Sequence, residues 1–484
     1  MTRRTRSAAA GLACLVLLAG CGTRVSHGDV VAGVDEQTVK LAPSSIEELK
    51  QAAAAPAAAP AAVPQTAAAP VTTDTTPAAG SAPSSPKAGT TAGKSAATVA
   101  KPATGSAAPP RACTTSLAPV ALGQVGTFSG VAGAITASAR AAMAVWAKDV
   151  NSHGGLACHP VQLFAADDGG DTSRAATAEH DLVHQHHVVA FVDVIVPLTV
   201  AGFRPAVEAD KVPVVGGVTG TDDFYDSPWL FPEAASFSDQ AFGLVRNGVE
   251  RGKKRLGLLY CVEASACTTL EKKVKQFAPD AGAELVYDAP ISLTQPDFSA
   301  QCINARNAKV DLLGAAMDGA SITRLVRSCQ AIGYRPLIAT SGALLTPAQA
   351  EDEVLRQFGV ATVSGEAPWF LTDQPGLRAY HAALAKWAPE LRPDAESVRA
   401  WSCGELLRLA LEHLGDDTRS GPITTAMVMK GLGTIKHETL GGLIAPVTFS
   451  PGQAHATSTG CMFFEQLSTA GWAAPRGSKP VCIR

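Results

Sequence analysis

After residue 21 the sequence contains no apolar run of about 18 residues, so no later segment is long enough to cross a bilayer as a helix. It also carries little net charge. Lys and Arg number 40 against 43 Asp and Glu, a formal −3, and no block of like charge occurs. That balance argues against a nucleic-acid or anionic-lipid surface as the main partner. The signatures of hydrolases are missing too: there is no HExxH and no Gly-x-Ser-x-Gly, and the Ser84-x-x-Lys87 match falls in low-complexity spacer. The cysteines lack the paired Cys-x-x-Cys spacing that zinc sites favour. An enzyme is therefore not expected, nor a metal or cofactor.

What is present begins at the amino terminus. Arg3, Arg4 and Arg6 precede an apolar run from Ala8 to Gly20, which ends in the small residues of Leu18-Ala19-Gly20-Cys21. A basic flank, a short apolar stretch and small residues before a cleavage point are the features of a secretory signal. The cysteine directly after them makes the segment resemble a lipoprotein signal peptide, which implies removal of residues 1–20 and acylation of Cys21. The chain is thus expected on the extracytoplasmic face of the cell membrane, attached by a lipid anchor. Residues 21–112 read as a tether. From Gln51 to Pro110 it is almost entirely Ala, Pro, Thr, Ser and Gly with no apolar period, so it cannot bury enough surface to offset the entropy of ordering. Prolines 56, 60, 64, 70, 77, 83 and 86 interrupt any Ala-rich helix, leaving a semi-extended spacer with a reach on the order of 150 Å.

From Cys113 the composition becomes that of a packed protein, and the remaining stretch of about 370 residues exceeds what one hydrophobic core normally holds. Apolar strand, turn and amphipathic helix repeat. Strands are expected at 120–125, 161–165, 188–192, 212–215, 256–260, 284–287, 310–313 and 336–339, with helices such as 135–150, 201–209, 270–277 and 322–332 between them. This alternation specifies an α/β fold with parallel sheets.

Several segments then resemble, in order, the type I periplasmic solute-binding proteins, and most closely their branched-chain amino-acid-binding family. The opening Val120-Ala121-Leu122-Gly123-Gln124-Val125-Gly126-Thr127-Phe128-Ser129-Gly130 leads into a long Ala-rich helix that ends Asp149-Val150-Asn151-Ser152-His153-Gly154-Gly155. Asp167-Asp168 follows the second strand, Lys211 to Val215 forms the fourth, and Gly252 to Tyr260 opens a second lobe. Asp297-Phe298-Ser299, Val310 to Leu313, and Leu440-Gly441-Gly442-Leu443 before Val447-Thr448-Phe449 complete a match over roughly 118–470. The resemblance implies two Rossmann-like lobes with parallel sheets, joined by a three-crossing hinge and closing on a small solute. It divides the chain into lobe 1 at 117–236 plus about 363–440, and lobe 2 at 237–362 plus about 441–484.

Ligands of open α/β sheets bind beyond the carboxyl ends of strands, so the expected contacts follow strands: Ser129, Gly130, Thr199 and Thr219 in lobe 1, Ser265, Asp318 and Ser341 in lobe 2, and Trp369 near the hinge. The chain departs from the amino-acid binders. Asp193 to Thr199 stands where they carry Gly-Pro and paired Ser, and Ser341-Gly342-Ala343 offers no carboxylate where they use an acidic side chain. A carboxylate, an amide or an aromatic solute is thus as plausible as an amino acid.

Of eleven cysteines, Cys14 is lost with the signal and Cys21 is acylated. Cys261 and Cys267 flank a short loop, Cys302 and Cys329 sit on helices either side of one strand, and Cys461 with Cys482 would pin the carboxyl tail. Cys113 would then pair with Cys158, leaving Cys403 as a buried helical thiol. His180, His184, His186 and His187 form the densest titratable group, but they precede a strand rather than follow it and read as a surface cluster. Three functions remain: the monomeric receptor of an ABC importer, delivering solute to a membrane permease; a tethered sensor with the same jaws; or a cell-surface enzyme or scaffold.

Overall fold

A computed structural model of the chain describes residue 113 and residues 115–130, 132–218 and 222–483. The signal segment, Cys21 and all of the tether lie outside the described residues. The first sheet contains β1 (Val120–Gly126), β2 (Val161–Asp167), β3 (Ala190–Ile195), β4 (Val214–Val218) and β5 (Leu230–Phe231) in the order β2-β1-β3-β4-β5, every pair parallel. Helices α1 (Gly133–Ser152), α2 (Thr172–His184) and α3 (Val200–Asp210) make the crossovers. Helices cover both faces of such a sheet, so its central strands are buried on both sides and read as continuous apolar runs. In β3 all six residues are buried, and the run is broken by one charge, Asp193.

The chain then passes through α4 (Phe237–Glu250) into a second sheet. Its strands are β6 (Arg255–Cys261), β7 (Glu284–Ile291), β8 (Leu312–Ala316), β9 (Leu337–Ser341) and β10 (Val360–Ser364), interleaved with α5 (Ser265–Phe277), α6 (Ser299–Asn307), α7 (Gly319–Ala331), α8 (Pro347–Glu351) and α9 (Glu353–Phe358). The parallel order β7-β6-β8-β9-β10 repeats that of the first sheet. From β10 the chain returns to lobe 1 as α10 (Pro375–Trp387), α11 (Ala395–Glu412) and α12 (Thr425–Leu432). These helices bury Tyr380 and Trp401 with Trp146 of α1 in one core. Antiparallel β11 (Cys461–Ser468) and β12 (Gly471–Ala473) finally extend the second sheet beside β10, and β13 (Val481–Cys482) pairs with β11.

Three crossings link the lobes, at 232–236, 365–368 and 458–460. The third comes later than the expected 441. Gly441 and Gly442, with φ of 65° and 84°, turn against Gly376 rather than toward lobe 2, and Leu443, Ile444, Val447 and Phe449 then fill the lobe 1 core. Ser458 ties the third crossing to the first, because its Oγ accepts from Ser236 N at 2.9 Å and donates to Asp239 at 2.6 Å.

Cys113 is bonded to Cys158, Cys261 to Cys267, Cys302 to Cys329 and Cys461 to Cys482, and Cys403 is a buried free thiol. In the histidine cluster, His184 Nε2 lies 2.8 Å from Asp210 Oδ2 and its ring packs on that of His180.

Candidate functional site

In a 2-1-3-4-5 sheet the crossovers on either side of the first strand leave in opposite directions, so a crevice opens beyond the carboxyl ends at the switch between the first and third strands. Both lobes have this order, and both switch points open on one cavity of about 250 Å³. Lobe 1 contributes Ile195 at the end of β3, Pro197 and Leu198 after it, and Ala132, Ile135 and Thr136 at the start of α1. Lobe 2 contributes Cys261 and Cys267 around the β6–α5 turn, Ala316 at the end of β8, and Met317 and Asp318 after it. The walls are largely apolar.

The hinge side of the cavity is not. Glu233 from the first crossing, Glu366 from the second, and Glu396 and Arg399 from α11 all line it, each no more than 5% exposed. Each nitrogen of Arg399 has a carboxyl partner. Its Nη1 and Nη2 donate to Glu396 at 2.5 and 2.7 Å, and its Nε donates to Asp193 at 3.0 Å. Asp193 sits at φ 52°, where β3 shifts register against β1, and its other oxygen accepts from Gln124 at 2.8 Å. Burial pushes Asp193 upward while the guanidinium and the Gln124 amide oppose it. Asp193 and Glu396 are thus the hydrogen-bonded partners of Arg399.

Glu233 and Glu366 have no such partner. One Glu233 oxygen accepts from Gly217 N at 3.1 Å, and the other is buried without a hydrogen bond. Burial pushes the Glu233 carboxyl up to about 7, against the opposing charge of Arg399. Burial, together with the charge of Glu233, holds Glu366 well above the usual carboxylate range. Cys403 lies behind them, its thiol pushed up by burial and by the carboxyls around it. A Cβ at Gly216, where φ is 68°, would meet Cys403 Sγ at 2.2 Å and a Glu233 oxygen at 2.8 Å, so only glycine lets β4 pass this close.

Of the residues expected from sequence, Asp318 and Ser341 line the cavity. Both are also helix caps: Asp318 accepts from the Ala320 and Ser321 amides, and Ser341 from Ala343 N at 3.3 Å. Ser129, Gly130, Thr199, Ser265 and Trp369 lie off it. Ser129 and Gly130 are exposed, and Ser129 hydrogen-bonds Asp167. Thr199 is fully buried but donates to Asp168 at 2.5 Å. Ser265 is exposed in the first turn of α5, one residue beyond the Ala264 that does line the wall. Trp369 is 4% exposed and packs against Phe370 and Trp472, with ring centroids 5.4 and 4.9 Å away, because an indole at the second crossing is held by the lobe cores rather than by the cleft. Thr219 lies outside the described residues. Asp318 and Ser341 are the expected residues that stand in the wall, and the charged end comes from two crossings and a buried helix.

The comparisons agree with this geometry. The family model of the periplasmic binding proteins matches residues 119–471. No curated protein sequence matches the chain. Among solved structures it is similar to a possible leucine/isoleucine/valine-binding protein from Rhodopirellula baltica SH 1, with a TM-score of 0.65 and 18% identity over 75% of this chain and 98% of that one. A fatty acid ABC transporter substrate-binding protein from Thermomonospora curvata gives 0.63 and 18%, over 74% and 91%. A solute-binding protein of an ABC transporter from R. palustris, in complex with benzoate, gives 0.62 and 14%, over 75% and 98%. With two lobes of identical strand order, three crossings and one cavity between their switch points, the chain belongs to the periplasmic binding protein family in its type I form.

Proposed function

We propose that this protein is the extracytoplasmic, lipid-anchored receptor of an ABC importer, holding a small solute between its lobes for a membrane permease. The observation that carries the reading is the single cavity onto which both switch points open, since a solute there touches both lobes and stabilises their closed arrangement. Anchoring rests on Leu18 to Cys21 and on the long spacer behind them. Among the described residues no helix is long and apolar enough to cross a membrane.

A solute screen by melting temperature, followed by X-ray scattering on each hit, tests the reading. A cognate solute raises the melting temperature in proportion to its excess over Kd and reduces the radius of gyration. A hit that binds without compaction overturns the jaw mechanism. Uptake of that solute should fall in cells lacking the protein, and unchanged uptake overturns the importer role. Cys21→Ala should release the chain from membranes or leave it as an uncleaved precursor; normal processing with full membrane retention refutes the anchor.

A further inference from the structure

The solute class follows from which charges in the cavity are already used. Arg399 is the one cationic side chain in the described lining, and each of its nitrogens already donates to Glu396 or Asp193. An anionic ligand would meet a guanidinium already paired with two carboxyls, with two further acids beside it. The opposite holds for a cation. Four carboxyls, those of Asp193, Glu233, Glu366 and Glu396, face one guanidinium, and two of the four are left over. Glu233 is 1% exposed, lines the cavity and has one oxygen with no hydrogen-bond partner. A buried acceptor left unmade is costly, and a donor in the cavity would satisfy it. The two crossings that carry Glu233 and Glu366 run side by side: a Cβ at Gly365 would lie 2.3 Å from Cβ of Ala234. The rest of the wall is mostly apolar, including Ile135, Leu198, Phe224, Phe237 and Met317, with Thr136, Gln240, Asp318, Ser341 and Ser364 as polar members.

We infer that the cavity takes a solute made of an apolar body and a protonated amine, the amine seated between Glu233 and Glu366. The inference rests on the reading that the cleft binds a solute at all, and narrows it to a cationic class. It also gives the hinge a part in recognition, because both carboxyls belong to chain segments that must bend when the lobes close. The groups facing the amine are Glu233 and Glu366 from the crossings, Glu396 and Arg399 from α11 with Cys403 behind them, Asp193 on β3, Tyr225, whose hydroxyl donates to the Ala234 carbonyl, and Asp318 on the lobe 2 wall. Without solute, the raised carboxyls of Glu233 and Glu366 hold protons near neutral pH. A bound ammonium favours their ionised form, so binding releases protons and tightens as pH rises through 7.

Three matched probes separate the outcomes: 2-phenylethylamine, 2-phenylethanol and 3-phenylpropionate, titrated into the full chain by calorimetry with scattering on each complex. The amine is expected to bind at least tenfold more tightly than either of the others, to compact the protein, and to release protons when titrated in two buffers of different ionisation heat. Glu233→Gln and Glu366→Gln should each weaken the amine at least tenfold. If either variant fails to fold, proton release and the pH dependence of the wild type still decide. Binding of the alcohol or the acid as tightly as the amine overturns the amine inference and leaves the solute-binding reading standing. If no probe binds or compacts the protein, the amine inference falls, and the broader solute screen decides the solute-binding reading.

Discussion

Arg399 Nε lies 3.0 Å from Asp193 Oδ1 across 206 residues of sequence, both side chains almost completely buried. This contact joins α11, which returns to lobe 1 after the second sheet is built, to the central strand β3. It fixes the floor on which the cavity stands. Buried ion pairs gain little overall against apolar replacements, because desolvation offsets attraction, but removing one partner strands the other's charge.

Arg399→Met should therefore destabilise lobe 1 by about 3 to 5 kcal/mol at pH 7.5. The sign of its pH dependence is fixed. Burial already holds the Asp193 carboxyl above its ordinary range and the guanidinium opposes this, so the variant raises it further and holds extra protons when folded. Its deficit should shrink as pH falls toward 5 and grow as pH rises. Denaturant midpoints at the two pH values check this, and a deficit independent of pH would mean that packing, not stranded charge, dominates.

Thr199 distinguishes scaffold from site. Its hydroxyl supports Asp168, which also accepts from Thr127 at 2.7 Å and from Gly170 N at 2.8 Å, and this carboxylate shapes the turn after β2. Thr199→Ala should cost about 1 to 3 kcal/mol of stability through a weakened charged hydrogen bond. Affinity for a cognate solute should change less than twofold by calorimetry. A tenfold loss of affinity with unchanged stability would put Thr199 back among the contacts.

The contrast shows what the sequence made legible. Period and turn residues located most strands of both parallel sheets, although β3 and β4 begin two residues later than expected because Val188 and Val212 are buried in the turns before them. Strands β5 and β10 to β13 were not foreseen: β5, β12 and β13 are very short, and β11 lies after the last strand considered. The charged floor was illegible for a different reason. Glu233 and Glu366 sit in crossings, where no periodicity marks a residue as inward. Helix α11 is buried nearly all round, so Glu396 and Arg399 fall on no polar stripe. Their i, i+3 spacing inside an otherwise apolar helix was the available signal, since a charged pair there must satisfy itself.

Glu179 offers a second titration away from the cleft. It is buried in α2, both its oxygens lack hydrogen bonds, and burial together with the charge of Asp210 pushes its pKa up to about 8. Between roughly 4.5 and 8 the folded state holds a proton that the unfolded chain has lost, so this group contributes falling stability as pH rises through that window. Glu179→Gln removes the term. The variant should gain on the wild type by about 3 kcal/mol between pH 5 and pH 8, read from urea midpoints. Parallel curves for the two proteins would show that Glu179 is not protonated when folded.

The Cys261–Cys267 bridge closes a loop of six residues at the cavity wall, joining the end of β6 to the first turn of α5. A loop this short loses little entropy in the unfolded chain, so its contribution to stability should be less than the roughly 2 to 4 kcal/mol of longer bridges such as Cys113–Cys158. Its position gives it another effect: it holds Ala264 and Ala266 against the solute space. Replacing both cysteines by serine should therefore lower solute affinity more than it lowers the melting temperature, while Cys113→Ser with Cys158→Ser should do the reverse. Mass mapping of the non-reduced protein must first find these pairs intact and Cys403 free. If Cys403 is bridged, or if the short-loop variant binds solute with undiminished affinity, the bridge does not shape the wall.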